Sequence, residues 1–408
     1  MKKIKIESPR IERLSIDIKN NSEQALELFW KDIEKVGSPL IEKIEGDENN
    51  YLVTLIWRET EELDNVCVIG EMFGMDTDET RLEKLENTDL WYRTWKARRD
   101  AQSVYFYIIN CDDEIEWDNL DFRLDPLNEK KYVCIEDDKR PNDLYLMLKE
   151  NSYVALPDFK QNQWTMEKQD TAKGKLELFD DFESKGLNNK RRVWVYTPDG
   201  YDETKEPYGL AVFTDGWEYI NVTEAPTVLD NLIGAGMIPP MCAVFIETSD
   251  DRDNELTCHK GFREFAMEEV VTWVNGKYNI TNKGEKNVLI GFSYGGLVAA
   301  FMALEYGETF KNVFIQSGGF SWKPAEEDND KSDIFKDYEK VEKLPVDFYV
   351  TFGEYEKDAE EHFDGTKKFV QLLQDKGYSY KYKEFMGGHT YMDAKIGFAD
   401  GLIHLLGE

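Results

Sequence analysis

Gly291-Phe292-Ser293-Tyr294-Gly295-Gly296 follows the apolar run Asn287-Val288-Leu289-Ile290 and leads into a helical pattern over Tyr294–Tyr306. The helix opens on small residues, Gly296, Ala299 and Ala300. The bare pattern G-x-S-x-G turns up by accident in about one chain of this length in ten at ordinary glycine abundance. An ordinary strand–turn–helix with an exposed serine would also satisfy it. The context is more specific. A tight, strained turn needs small flanking residues, and a helix starting beneath the serine hydroxyl favours negative charge developing there.

Outward from that turn, the chain alternates strand and helix. Arg192–Tyr196, Leu210–Thr214, Ala243–Ile246, Asn287–Ile290, Asn312–Ile315, Asp347–Thr351 and Tyr380–Phe385 read as strands. Several are continuous apolar runs, as strands covered on both faces are. Phe262–Val274, Tyr294–Tyr306 and Ala359–Lys376 have helical spacing. This alternation predicts a mostly parallel sheet with helices on both faces, an α/β architecture. The first half reads differently. One helical stretch, Ser22–Val36, is followed by short alternating runs at Tyr51–Trp57, Asn65–Gly70, Leu90–Trp95 and Ser103–Ile109. Short β-rich runs with acidic turns predict an all-β immunoglobulin-like sandwich. The expected organisation is a sandwich domain over 1–157, a polar linker over 158–175 and a catalytic domain over 176–408.

A neutral serine needs a base. The four histidines are His259, His362, His389 and His404. His389 lies in Met386-Gly387-Gly388-His389-Thr390, in a glycine-loosened loop between a strand and the last helix, and is the expected general base. His362 and His404 fall inside helical stretches and are read as structural, and His259 adjoins a helix start. An α/β-hydrolase with a nucleophile elbow runs serine, then acid, then histidine along the chain. The loop after Thr351-Phe352-Gly353 offers Glu354, Glu356 and Asp358, and spacing alone does not choose among them. Two backbone N–H groups are expected to hold the oxyanion, those of Tyr294 and Trp217. The latter stands in the loop Thr214-Asp215-Gly216-Trp217.

Composition narrows the function classes. Across 408 residues, 50 Lys and Arg stand against 82 Asp and Glu, a formal charge of −32. Such a field repels phosphate backbones and anionic lipid, which argues against nucleic-acid and membrane-surface partners. The five cysteines, Cys67, Cys111, Cys134, Cys242 and Cys258, form no C-x-x-C pair and read as reduced thiols of a cytoplasmic protein. Met1–Lys5 is basic but no apolar segment follows, so no signal peptide is expected. No apolar run approaches the roughly 18 residues that span a bilayer. The oligomeric state is not readable.

These residues resemble the enterochelin (ferric enterobactin) esterases, and the resemblance runs over nearly the whole chain. Phe29-Trp30, Gly37-Ser38-Pro39, Trp57-Arg58 and Asp125-Pro126-Leu127-Asn128 look like that family's N-terminal sandwich. Arg191–Val195, Arg252-Asp253-Asn254-Glu255-Leu256-Thr257-Cys258, Gln316-Ser317-Gly318 and Gly387-Gly388-His389 look like elements of its catalytic domain. The resemblance makes Ser293 the nucleophile and His389 the base. The family's G-x-x-E pattern falls on Gly353-Glu354-Tyr355-Glu356, so Glu356 inherits the acid's role. Thr390 stands where the family often has an acid, and Gly319-Phe320-Ser321-Trp322 carries less tryptophan than is usual. The implied activity is hydrolysis of the trilactone of a ferric catecholate siderophore such as enterobactin. No protein-bound metal or organic cofactor is needed, because the iron arrives with the substrate. A bulky anionic, aromatic complex would want Arg252, with Lys260 and Arg263 nearby, and aromatic faces from Trp217, Trp322 and Tyr391. The rival readings are a general carboxylesterase of feruloyl type and an inactive binding protein on a hydrolase scaffold.

Overall fold

In the computed structural model, which describes residues 7–111, 120–133, 135, 137, 139, 150–326, 328–358 and 360–407, the first helix starts well before the expected Ser22. Helix α1 spans Pro9–Val36, with Ser8 as its N-cap accepting from the Ile11 N–H and proline in its first turn. Ser22, with Glu23 after it, reads as a helix start, but both lie inside the helix. The apolar face runs through it, from Ile11 and Leu14 to Phe29, Trp30 and Ile33, all buried against Leu40, Ile56 and Leu90. A continuous buried stripe outweighs a local capping preference.

The chain divides into two compact units. One runs to Lys160 and takes in Met386–Gly388; the other comprises Gln161–Phe385 and His389–Glu408. In the first, α1 is followed by β1 (Leu40–Ile44), β2 (Asp47–Arg58), β3 (Val66–Ile69), the short α2 (Thr77–Thr80), β4 (Glu83–Lys84), β5 (Leu90–Arg98), β6 (Gln102–Ile109), β7 (Asp121–Arg123), β8 (Lys131–Val133) and β9 (Glu150–Ala155). They form a sheet in the order β1-β2-β5-β4 and another in the order β3-β6-β9-β8, with β7 beside β6; every pairing is antiparallel. Side chains of the two sheets meet. Trp57 of β2 packs edge-on against Tyr107 of β6 at 5.1 Å, and the Tyr107 hydroxyl donates to the Ile56 carbonyl at 2.9 Å. The expected all-β character is corrected by α1, which covers a sheet face. Cys134 lies outside the described residues.

The second unit begins with a segment of turns anchored by Asn231, whose side-chain amide donates to the Trp164 and Met166 carbonyls. Its elements are β10 (Lys175–Ser184), β11 (Asn189–Thr197), β12 (Gly209–Phe213), α3 (Gly216–Asn221), α4 (Ala225–Gly234), β13 (Met241–Ile246), α5 (Arg252–Leu256), α6 (Lys260–Glu264), a π-helical turn Phe265–Val271, α7 (Thr272–Lys277), β14 (Val288–Phe292), α8 (Tyr294–Tyr306), β15 (Asn312–Gln316), α9 (Ile334–Lys340), β16 (Asp347–Gly353), α10 (Glu360–Asp375), β17 (Ser379–Phe385) and α11 (Tyr391–Leu406). One eight-stranded sheet runs β10-β11-β13-β12-β14-β15-β16-β17. The β10–β11 and β11–β13 pairings are antiparallel and the rest parallel.

Period-two alternation sends Leu210, Val212, Leu289, Val313 and Phe348 into a core shared with Val298, Phe301, Phe335 and Phe369. The other face carries Phe213 and Phe314, both packed on Phe398 of α11. Burying each such phenylalanine contributes roughly 1.5–3 kcal/mol. Covering both faces leaves only the loops at the strands' C-terminal ends to carry chemistry, as open parallel sheets do.

Candidate active site

Four adjacent parallel strands deliver the site. Ser293 follows β14, Ser317 follows β15, Glu356 follows β16 and His389 follows β17. Ser293 has φ 57° and ψ −124°, a conformation that costs a non-glycine residue about 1–3 kcal/mol unless its surroundings impose it. They do. Its N–H donates to the Gln316 carbonyl at 2.9 Å, and its own carbonyl accepts from Gly296, Leu297 and Gly319 at 3.0, 3.2 and 2.9 Å. The flanking glycines are sterically required. A β-carbon on Gly291 would lie 2.0 Å from the Gly295 carbonyl oxygen, and one on Gly295 would lie 2.5 Å from Thr214 Oγ1.

His389 Nε2 lies 2.9 Å from Ser293 Oγ, and its Nδ1 lies 2.7 Å from Glu356 Oε2. Phe292 packs against the imidazole at 4.6 Å between ring centres. Thr390 N-caps α11 through the Asp393 N–H, which fixes His389 immediately before the helix. Glu356 sits in a 3₁₀ turn, Glu354–Asp358, and is 3% exposed. Its other oxygen, Oε1, accepts from the Ser317 hydroxyl at 2.5 Å and the Gly353 N–H at 2.8 Å. Burial pushes the Glu356 carboxyl up, but the charge and hydrogen bond of His389, with the bonds from Ser317 and Gly353, outweigh it and hold the group below its ordinary value. An ionised carboxylate only accepts. The hydrogen on Nδ1 therefore faces Glu356, and the lone pair of Nε2 faces the Ser293 hydroxyl.

Of the acids in that loop whose side chains are described, Glu356 is the one that meets His389. Glu354 pairs with Lys357 at 2.8 Å, and the Asp358 side chain lies outside the described residues. Tyr294 is the first residue of α8, where the helix provides no acceptor for its N–H. Trp217 is buried in the first turn of α3, after Asp215 at φ 52°. The space around Gly295 shows that the start of α8 abuts the side chains of Thr214 and Asp215, in the corner leading to Trp217.

The expected substrate cluster lies differently. Arg252 is buried and bidentate to Asp215, Nε to Oδ1 at 2.7 Å and Nη2 to Oδ2 at 2.8 Å. Arg263 pairs with Glu305 at 2.8 Å, and Lys260 donates to the Asn329 carbonyl. Tyr391 is buried, its ring tilted against that of Phe292 at 4.7 Å, with its hydroxyl 3.5 Å from Arg252 Nη2. Trp322 is half-buried beneath Lys331, whose Nζ is 5.2 Å from the ring centre.

Three residues carry more than their sequence signals. Ser317 lies in a segment noted without a role, and Asp215 was read only as part of the oxyanion loop. His362, read as an ordinary helical residue, has its ring centre 4.8 Å from that of His389. Its placement six residues after Glu356, at the start of the next helix, is the one signal that would have found it. His259 caps α6 by accepting from the Phe262 N–H, and His404 packs against Tyr349.

A family model described as putative esterase matches residues 184–405, more than half of the chain. The chain is 24% identical to the iron(III) enterobactin esterase of Dickeya dadantii (strain 3937), covering 93% of each. It is 25% identical to that of Yersinia enterocolitica over 77% of this chain and 94% of that one. The ferric enterobactin esterase structure from Salmonella typhimurium superposes with a TM-score of 0.72 at 21% identity, covering 93% of this chain and 98% of that one. The enterobactin esterase of Shigella flexneri in the presence of enterobactin gives 0.69 at 21%, covering 90% and 95%. At that identity the likeness is one of fold, an α/β-hydrolase-type architecture.

Proposed function

The chain belongs to the esterase family, with enterochelin esterases as its full-length relatives, and on that premise we propose that it cleaves the ester bonds of a ferric catecholate siderophore with Ser293, His389 and Glu356. The observation that carries this reading is the relay itself, Glu356 to His389 at 2.7 Å and His389 to Ser293 at 2.9 Å. His389 takes the Ser293 proton as the hydroxyl oxygen attacks a lactone carbonyl. The N–H groups of Tyr294 and Trp217 hold the oxyanion; such a donor contributes about 3–4 kcal/mol to the transition state. His389 then protonates the departing alkoxide, and water, activated by the same imidazole, releases the acyl-enzyme.

The substrate class comes from the relatives, whose names specify iron(III) enterobactin. Trp322 is our candidate aromatic wall. Arg252 and Tyr391 touch substrate in this reading only if the loop of Asp215 opens; their buried hydrogen bonds favour a role in holding that loop. The immunoglobulin-like assignment of residues 1–157 is likewise our reading, supported by two antiparallel sheets sharing an aromatic core. We place the reaction in the cytoplasm, with Cys67, Cys111, Cys242 and Cys258 as buried free thiols.

The test is mass spectrometry of products from iron-loaded and iron-free catecholate trilactone, beside turnover of a short p-nitrophenyl ester, for wild type and Ser293→Ala. Linear ring-opened products from wild type alone are expected. Rapid turnover of the simple ester with none of the trilactone would replace the siderophore reading with that of a general carboxylesterase.

A further inference from the structure

His362 is the third residue of α10, and its place beside the relay is unexplained by the hydrolytic steps. Its ring meets that of His389 edge to face, 4.8 Å between centres with the planes at 87°. Its Nε2 is buried with no hydrogen-bond partner, and it stands 3.8 Å from Glu356 Oε2. One donor atom from each of Glu356, His362 and His389 falls within 4.8 Å of the other two. We propose that these three side chains form an inhibitory site for a divalent cation of the zinc type.

Two imidazole nitrogens and one carboxylate oxygen are a donor set that suits zinc, which binds nitrogen and oxygen at about 2.0–2.2 Å with water completing a tetrahedron. Those bond lengths put ligand atoms about 3.4 Å apart. The 3.8 Å gap between His362 and Glu356 needs to close by a few tenths of an ångström, the 2.7 Å contact between His389 and Glu356 needs to open by a little more, and the two imidazole nitrogens, within 4.8 Å of each other, need to approach by up to about 1.4 Å. A half-buried imidazole on a helix end and a half-buried loop imidazole have that freedom. Magnesium and calcium prefer oxygen ligands in six-fold or higher coordination, and this site supplies one carboxylate.

The consequence follows from tautomers. A cation on His389 Nδ1 takes the place of the hydrogen that faced Glu356. The ring's single proton moves to Nε2, with no net loss. Nε2 then donates to Ser293 Oγ instead of accepting from it, and the relay stops. This inhibitory consequence rests on the proposed catalytic role of Ser293 and His389; binding of the cation does not.

The two parts are tested separately. Calorimetric titration of Ser293→Ala protein with zinc sulfate is expected to give one zinc per chain, and adding His362→Gln should weaken it about ten-fold or more. Wild-type hydrolysis of a p-nitrophenyl ester should fall on adding zinc, recover with EDTA and ignore magnesium. The His362→Gln enzyme should need about ten-fold more zinc for the same loss. His362→Asn, with thermal melts of both, guards against a variant that does not fold. No zinc binding in the millimolar range, or binding that neither His362 variant weakens, overturns the site. Binding at the site with undiminished hydrolysis overturns the inhibition. A wild type inactive on every ester would sink the catalytic reading and leave the titration to decide the site.

Discussion

The Ser317 hydroxyl and the Gly353 amide hold Oε1 of Glu356 so that Oε2 faces His389. A carboxylate fixed at one oxygen orients the imidazole through the other and stabilises it once protonated. Glu356→Gln keeps the shape but places an amide where an acceptor is needed, favouring the wrong tautomer. We expect kcat to fall about 10²–10⁴-fold with the thermal midpoint moved little, measured on a chromogenic ester; a change under two-fold would remove Glu356 from the relay. Ser317→Ala deletes one bond to a charged acceptor, worth about 1.5–3 kcal/mol, and should lower kcat roughly ten-fold or more while KM holds. Arg252 with Asp215 gives a pH prediction. Burial pushes the Asp215 carboxyl up, but Arg252 and the hydrogen bonds of Tyr391 and Thr248 hold it below its ordinary value. A lowered folded pKa contributes stability above the unfolded carboxylate range, about 4, that is lost as pH falls through the folded pKa. Asp215→Asn should therefore flatten the fall in melting temperature below pH about 4, and an unchanged acid limb would show the pair to be irrelevant to it. At this scale the sequence was partly legible. Ser293 and His389 announce themselves through flanking glycines, whereas Glu354 and Glu356 share charge and loop. Only the Lys357 partner of one and the burial of the other separate them.

At the scale of elements, the elbow and the loop after β12 work as one piece. Gly295 is the contact. A methyl group there would sit 2.5 Å from Thr214 Oγ1 and 3.0 Å from Asp215 Oδ2. The Asp215 carboxylate is held by Arg252 and cannot simply swing aside, so either that pair or the start of α8 must shift, and with it the spacing between the Tyr294 and Trp217 amides. Gly295→Ala should cost about 1–3 kcal/mol of stability, as overpacking does, and lower kcat more than it raises KM. An alanine variant with wild-type kcat would show that the two amides do not act together. The strands of this unit were legible because parallel strands covered on both faces need unbroken apolar runs, and Leu210–Phe213 and Val288–Ile290 have them. The antiparallel β10, with its exposed Leu176 and Leu178, lacks that signature and carries no strand reading, although all of it but Lys175 lies in the expected catalytic domain. Helix α1 starts earlier than its sequence suggests because Ser22 followed by Glu23 resembles an N-terminus. What settles the matter is the burial of Ile11 and Leu14, which propensity does not encode.

At the scale of the whole molecule, the charge total was legible and its pairing was not. Of the basic residues expected to meet an anion, Arg252 pairs with Asp215 and Arg263 with Glu305, and the buried Arg191 and Arg192 pair with Glu255 and Glu247. Removing one partner of a buried pair, as at Arg252, Arg191 and Arg192, is costly, so those cations are held by the fold and are not available to meet an anion. The net −32 is left to act on anything that approaches. An iron tris-catecholate is itself an anion, so its encounter with this chain is opposed at distances beyond contact, and salt relieves the opposition once the Debye length shrinks toward about 8 Å. The value of kcat/KM for the iron-loaded trilactone should therefore rise about two-fold or more between roughly 10 and 200 mM NaCl, mostly through association. A neutral p-nitrophenyl ester, which feels no such field, should change little over the same range and serves as the internal control. A value for the iron complex that falls with salt would mean that local positive charge at the mouth of the site outweighs the global field, and the substrate-facing cations would have to be sought outside the paired arginines.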